Sequence, residues 1–340
     1  MCEVSIIVPC FNEEETITLL LESIYNQTYP IEKMEVIIAD GISCDKTREK
    51  IIWFRNNHSN LKVVIVDNYK RDIPSGLNLA LENSSGEYII RLDAHSIPSK
   101  EYISLSLERL KDGKGDVVGG MWEIKPGGKG WVSRSIASAA SHPLGVGDAK
   151  YRVGGEAQKV DTVPFGAYSR RLIDEIGTYD EKLLSNEDYE FNVRVRQTGR
   201  VIWMDPKISS VYFARKSYKS LAKQYWRYGY WKVRMLIRYP STFRWRQLAG
   251  LFVISWLLLG ILWLWYPISG WLLLAEALIY GSALAYTGVH SSIKNNDLMQ
   301  LIGVPFAIVV MHFSWGSAFL FSAIEYIILL GRNFTKSFGE

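Results

Sequence analysis

Cysteine is scarce in this chain. Its three cysteines, Cys2, Cys10 and Cys44, fall near the start of 340 residues, with no Cys-x-x-Cys spacing and no companion histidines. So odd and unpatterned a set excludes a disulfide framework and a zinc site, and predicts free thiols. The familiar phosphate loops are also missing: there is no Gly-x-x-x-x-Gly-Lys-Ser/Thr run, and no Gly-x-Gly-x-x-Gly follows the first predicted strand. That speaks against P-loop nucleoside triphosphatases and classical dinucleotide-dependent enzymes. No cationic segment with a short apolar core opens the chain, so the front of the protein is expected to stay in the cytosol. Acidic residues are absent from residues 214–246, where ten of the 39 Lys and Arg fall, leaving 29 basic against 35 acidic residues elsewhere. Residues 248–330 carry very few charges of either sign.

What is present divides in two. The composition is 48% hydrophobic, enough for one domain of ordinary size and a further apolar region. Residues 5–12 (SIIVPCFN) form an apolar run that ends in polar residues, as a buried parallel strand does on reaching a ligand cleft. Ile17, Leu20, Leu21 and Ile24 then follow helical spacing. Strands are predicted again at 34–40, 61–66 and 88–92, with helices at 47–56 and 75–82 between them. This alternation predicts a parallel wound sheet whose strand tips share one crevice.

Two carboxylate sites stand at such tips and a third at a helix start beside them. Asp93 and His95 close the fourth strand as Asp-x-His, which suits a divalent cation holding a diphosphate; an Asp capping the next helix and a surface His is the alternative. Asp40 ends the second strand, where it either accepts hydrogen bonds from a base or ribose or simply shapes the turn at Gly41. Glu187 and Asp188 follow Ser185 and Asn186, either of which can cap a helix. Acids in a first turn compensate the helix dipole, or one of them serves as a general base whose pKa that dipole keeps low. By the 100° advance per residue, Glu187 is expected to point away from Asp188's site.

Taken together, residues 5–14, the Asp40-Gly turn, Arg91-Leu-Asp-Ala-His95 and Asn186-Glu-Asp-Tyr-Glu-Phe191 with Arg194 resemble, in order and spacing, the inverting nucleotide-sugar glycosyltransferases of family 2. The likeness spans roughly residues 4–232 and is strongest to membrane-bound glucosyltransferases of the succinoglycan-biosynthesis type, which carry Asp-Ala-His where many members carry Asp-x-Asp. It implies an α/β GT-A domain with a Rossmann-like mixed sheet, then interfacial helices and transmembrane helices. By the same resemblance, Asp188 is the catalytic base. Pro9, Asn12, Glu13, Asp40, Arg71 and Asp93 bind the donor, and Asp93 with His95 holds Mg²⁺ or Mn²⁺. Gln224-Tyr-Trp-Arg227-Tyr228 is similar to the Gln-x-x-Arg-Trp signature of polysaccharide synthases, with Tyr last. It implies that Gln224 and Arg227 meet the diphosphate, while Phe165, Glu187 and Tyr228 serve the acceptor or its loop. The partners implied are a UDP-sugar, most simply UDP-glucose, and a polyprenyl-diphosphate-linked saccharide. Processive synthesis and transfer to a polyprenyl phosphate are the alternatives.

The division expected is a cytosolic catalytic domain at 1–214, basic aromatic interfacial helices at 215–247 and a transmembrane region at 248–331. Tyr218, Leu221, Tyr225, Gly229 and Val233 form a helical stripe able to lie on a bilayer. Because the cationic run directly precedes the apolar region, anionic lipid is a better partner for it than nucleic acid. Crossings are expected at 248–266 and 268–289, and a third at 304–330. The third would leave Arg332 and Lys336 outside, against the positive-inside rule, unless the segment breaks near 312–316. The setting implied is a bacterial or archaeal cell membrane with the catalytic domain on the cytoplasmic side.

Overall fold

The structure, a computed structural model, describes residues 2–244 and 247–337, without the side chains of residue 249 and residues 330–337. Arg246 and the side chains of Arg332 and Lys336 therefore lie outside the described residues. Two compact units are present: Met1–Glu123 with Lys150–Phe213, and Ile124–Ala149 with Ala214–Glu340.

The first unit opens with β1 (Val4–Cys10), α1 (Ile17–Tyr25), β2 (Met34–Asp40), α2 (Thr47–Asn57), β3 (Lys62–Asp67), α3 (Ile73–Glu82) and β4 (Tyr88–Arg91). β5 (Ser96–Pro98), α4 (Tyr102–Lys111) and β6 (Val117–Lys125) follow. Residues 124–149, with α5 (Trp131–Ala140) and α6 (Pro143–Val146), belong to the second unit. The chain then returns with α7 (Lys150–Val153), β7 (Gln158–Lys159), β8 (Ala167–Ser169), α8 (Arg170–Ile176), α9 (Glu187–Gln197) and β9 (Ile202–Phe213). The sheet order is β3-β2-β1-β4-β8-β6-β9-β5, with β7 beside β9. β1 to β4 are mutually parallel, whereas β8 pairs antiparallel with β4 and β6. The sheet is therefore mixed, its first half the wound parallel sheet that the alternation predicts.

Both faces are apolar because the strand repeat sends alternate residues to opposite sides. Val4, Ile6 and Val8 of β1 join α1, α2 and α4 in one core, while Ile7 of β1 and Ile37 and Ala39 of β2 pack with α3, α8 and α9 in the other. A polar row crosses this apolar sheet at one register. Buried Glu35 of β2 accepts from Ser5 Oγ of β1 (2.6 Å), Lys62 Nζ of β3 (2.6 Å) and the Ser85 backbone N–H (2.6 Å), while Gly86 N–H donates to Ser5 Oγ (2.8 Å) at the entry to β4. Four neighbouring strands are pinned by one carboxylate, which opposes register slip.

The second unit is helical. Ser217 caps α10 (Tyr218–Arg238) in a capping box with Ser220. α11 (Leu248–Leu262), α12 (Pro267–Asn295) and α13 (Gln300–Ser337) follow. α13 is the spine: α5, α10, α11 and α12 all pack on it. A Cβ at Gly229 of α10 would stand 2.2 Å from the Trp315 carbonyl oxygen, so a bare backbone is needed for this crossing. Leu221, Gly229 and Val233, the stripe that the sequence offers to a bilayer, are buried, most of α10's contacts being with α13. α11 is only 15 residues long, ending at Leu262 rather than 266. Among the described residues two helices are long and apolar enough to cross a membrane, Pro267–Asn295 and Gln300–Leu329. α13 runs helical through 312–316, so no break occurs there: His312 Nδ1 pairs with Tyr280 Oη at 3.0 Å and satisfies its buried ring inside the bundle.

Glu35 yields a stability prediction. Burial opposes its charge, but the bonds from Lys62, Ser5 and Ser85 outweigh that and hold its pKa at about 2 against 4.5. The stabilisation is therefore complete above pH ~4.5 and lost as pH falls towards 2. Glu35→Ala should lower unfolding free energy by about 3 kcal/mol at pH 7 in urea titrations, and the gap to the native chain should narrow on acidification.

Candidate active site

β1 is the first strand laid down, β2 and β3 extend outward from it, and α3 carries the chain back to β4 on its other side. Strand order reverses between β1 and β4, and a crevice opens at the carboxyl ends of strands at such a switch point. The tips here are conformationally unusual. Asn12 (φ 54°), Ile42 (φ 59°) and Arg71 (φ 59°) follow β1, β2 and β3 in the left-handed region, and Phe165 (φ 53°) precedes β8. For β-branched Ile42 this is a costly conformation, and such strain concentrates where ligands are handled.

The β1 and β2 tips are tied together. Asn12 N–H donates to Ser43 Oγ (2.9 Å), and its Oδ1 accepts from Cys44 N–H (2.9 Å). Pro9 lies beside Ala39 one step back. Asp40 is fully buried; it accepts from Ser43 Oγ at 2.5 Å and lies 3.4 Å from Arg48 Nε, so its carboxylate braces the turn at 41–43. Arg71 is exposed beyond β3.

At the β4 tip the central group is Arg91, a residue that the sequence motif contains but to which it assigns no role. Its side chain is 4% exposed. Nη2 lies 2.8 Å from Asp93 Oδ1 and 3.4 Å from Glu187 Oε1, while Nη1 lies 2.8 Å from Asp188 Oδ2. The Phe165 ring sits against the guanidinium, 5.2 Å to its centroid, and Tyr102 Oη donates to the Phe165 carbonyl at 2.7 Å. Phe165 thus forms a bend before β8, with its ring buried under Arg91. A cation at an interior position of a core strand must find carboxylates, and that was the signal available in the sequence.

α9 delivers two of those carboxylates. Phe191 and Val195 fix its inner face in the core, and Asn192 Nδ2 ties it to Thr162 Oγ1 (2.9 Å) and the Val163 carbonyl (3.2 Å). Arg194 holds the carbonyls of Ile176, Gly177 and Thr178, binding α9 to the end of α8. Asn186 stands at the N-cap position with φ 68° and makes no side-chain cap. Its left-handed backbone turns the chain so that both Glu187 and Asp188 reach Arg91, and the expectation that Glu187 points elsewhere does not hold.

The expectation of a low pKa for Asp188 is also reversed. Burial raises it, Arg91 lowers it, and Glu187 and Asp93 raise it again, leaving it at about 7 although 24% of the side chain still meets solvent. A first-turn dipole acts with a fraction of a charge, whereas desolvation and two like charges act together. Arg91 is also pushed up, which for a cation keeps the charge: burial disfavours it, but Asp188, Asp93 and Glu187 outweigh that.

His95 faces Asp93 from the next turn. Its Nδ1 is 3.0 Å from Glu13 Oε1, across the switch point, and its Nε2 is 3.9 Å from Asp93 Oδ2. A carboxylate behind one ring nitrogen orients the other, as behind metal-bound imidazoles. Among the described residues no three His, Cys, Asp or Glu side chains converge as a metal cage. The pair Asp93 and His95 therefore fits a cation that takes its remaining ligands from water and phosphate oxygens, the usual habit of Mg²⁺. Gln224, Arg227 and Tyr228 belong to α10 in the second unit, where Gln224 is buried and donates to Tyr228 Oη at 2.9 Å, and Arg227 is exposed.

A mixed sheet of this order, with carboxylates gathered at the switch point, is the GT-A fold of glycosyltransferases. The chain belongs to glycosyltransferase family 2, which it matches over residues 5–177. A relative from Methanococcus voltae, dolichyl N-acetyl-α-D-glucosaminyl phosphate 3-β-D-2,3-diacetamido-2,3-dideoxy-β-D-glucuronosyltransferase, is 31% identical over 230 residues, 66% of this chain and 71% of its own. Succinoglycan biosynthesis protein ExoA of Rhizobium meliloti is 29% identical over 318 residues, 92% of this chain and 93% of its own. Mannosyltransferase PcManGT from Pyrobaculum calidifontis, solved with GDP-Man and Mn²⁺, superposes with a TM-score of 0.60 at 19% identity, covering 91% of this chain and 86% of that one, and so shares the fold.

Removing the cation from this cluster should be costly. Arg91→Met is expected to lower stability by about 3–5 kcal/mol at pH 8, because buried carboxylates lose their partner. Calorimetry or urea titration at pH 6 should show a smaller loss, since protonation relieves the repulsion; an equal loss at both pH values would contradict this account.

Proposed function

We propose that this protein is an inverting, membrane-anchored glycosyltransferase that transfers a hexose, first among candidates glucose, from a UDP-sugar to a polyprenyl-diphosphate-linked saccharide. The observation that carries the reading is the Arg91 fork, with Asp188 on one amino group and Asp93 on the other. The class of acceptor rests on relatives whose names specify a dolichyl-linked glycan and succinoglycan biosynthesis.

In this reading Asp188 takes the proton of the acceptor hydroxyl as the new bond forms on the face of the sugar opposite the diphosphate. A base is most effective with a pKa near the working pH, and about 7 meets that requirement. One carboxylate suffices, because the leaving group is already a diphosphate and needs no acid of the kind a glycosidase supplies. Glu187 steadies Arg91 and the acceptor loop. Asp93 and His95 would hold Mg²⁺ or Mn²⁺, which when bound offsets charge on the departing diphosphate. Pro9, Asn12, Glu13 and Arg71 line the donor side, and Asp40 acts on the nucleoside through the turn it braces. Gln224 and Arg227 of α10 are assigned to the diphosphate and Tyr228 to the acceptor. Residues 1–214 carry the chemistry, 215–247 meet the membrane surface and 248–331 anchor the chain.

Screening UDP- and GDP-sugars against lipid extract for release of nucleoside diphosphate tests the reading as a whole; no release with any donor in a lipid-reconstituted sample would reject it. Asp188→Asn should cut kcat/KM by roughly 10²-fold or more while leaving donor affinity nearly intact, and Glu187→Gln should do less. In the native enzyme kcat/KM should fall as pH drops below about 7, because only ionised Asp188 can accept a proton. An acid limb near pH 4 would assign the base elsewhere. Asp93→Ala should weaken both UDP and Mn²⁺ binding by calorimetry, whereas Asp188→Asn should weaken neither.

A further inference from the structure

The second unit decides which apolar helices enter the bilayer. α10 and α13 run side by side in the same direction. Tyr218 Oη donates to the Gly303 carbonyl (3.2 Å), Gly229 lies on the backbone of Trp315, and Arg234 bonds Ser322 Oγ (2.9 Å) and Glu325 Oε2 (3.1 Å). Contact is kept over about 24 Å of α10, most of the ~30 Å of a hydrocarbon core. Along this length Lys219 and Lys223 are exposed on successive turns, and Arg238 follows. If α13 stood across a membrane, it would hold this cationic row in hydrocarbon, where isolated charges are excluded.

The exposed apolar residues agree with a different placement. Of the most apolar stretch, 39% is buried in α13 but only 6% in α12. The exposed large apolar residues of α13 lie towards its two ends; Ile302, Phe306, Phe321, Ile324 and Ile328 share one face at helical spacing, with Leu301, Ile327 and Leu329 open beside it, and Trp226 of α10 stands 6.1 Å from the Phe321 ring. A one-sided stripe suits a helix lying in the interface, not one surrounded by lipid. The α11–α12 hairpin has the opposite character. Its one acid, Glu276, is satisfied by Ser255 at 2.5 Å, and its turn presents exposed Trp263, Trp265 and Tyr266, an aromatic cluster of the kind that marks a membrane–water boundary.

We propose that the α11–α12 hairpin is the element that enters the bilayer, α12 crossing its full thickness and the 15-residue α11, ~22 Å of helix, reaching across together with the turn at 263–266, while α13 lies in the membrane interface beside α10, its apolar face on the lipid and the cations of α10 among anionic headgroups. This rests on the membrane-anchored reading above. The C-terminal end of α13 then lies on the same side as α10, which removes the conflict of Arg332 and Lys336 with the positive-inside rule.

Single cysteines at Lys223, Leu264 and Gly339 in a full-length chain with Cys2, Cys10 and Cys44 replaced by Ala, probed with a membrane-impermeant maleimide in intact cells and in inverted vesicles, test the topology. K223C and G339C should label together from the cytoplasmic side, and L264C from the other. Labelling of G339C with L264C would mean that α13 crosses, and labelling of all three from one side would mean that the hairpin does not; either overturns the proposal. Should the cysteine-free chain fold poorly, an epitope placed after Glu340 in the otherwise native protein gives the same answer by antibody access. Release of the protein by alkaline carbonate would instead remove the membrane anchoring on which the proposal stands.

Discussion

The buried guanidinium of Arg91 is the constraint on which the first unit's chemistry depends. A charge in the interior is tolerated only if counter-charges come to it, and here they come from two separate parts of the chain, the β4 tip and the first turn of α9. The requirement fixes where α9 begins and why Asn186 adopts a left-handed backbone. It also leaves three carboxylates around one cation, an excess of negative charge at the point where strand order reverses.

Two carboxylates in this unit, Glu35 fully buried and Asp188 half-buried, show how environment separates structure from reactivity. Glu35 is saturated by an ammonium, a hydroxyl and a backbone N–H, and its pKa is held at about 2. Asp188 has the Arg91 guanidinium on one side and two like charges nearby, and burial lifts its pKa to about 7. The same functional group is a register pin in one place and a proton acceptor of suitable strength in the other, because hydrogen bonding favours the ion and desolvation disfavours it.

In the second unit the equivalent constraint is satisfaction of α13. Its Gly316 and Gly303 admit α11 and α5 closely, Gly229 of α10 meets the Trp315 backbone, and its polar residues find partners on three other helices: Ser322 and Glu325 on Arg234 of α10, His312 on Tyr280 of α12 and the Leu144 carbonyl of α6. A helix apolar enough by composition to cross a membrane thereby has 39% of its most apolar stretch buried against other protein.

Strands and helices of the parallel half were legible because Ile7, Ile37 and their neighbours give continuous apolar runs, and Ile17 to Ile24 a helical period. Asp93, His95, Glu187 and Asp188 were legible as chemistry, since carboxylates at predicted strand tips and helix starts have few purposes. The sequence by itself determined the α/β alternation, the sites of those charges and the stretches apolar enough to meet lipid, because these depend on local periodicity. Only the tertiary structure decided that Glu187 and Asp188 share Arg91, that Asp40 faces inward, that Asp188 titrates near neutrality and that α13 is covered by α10. Each of those follows from which residues distant in the chain become neighbours, and desolvation and pairing exist only once they do.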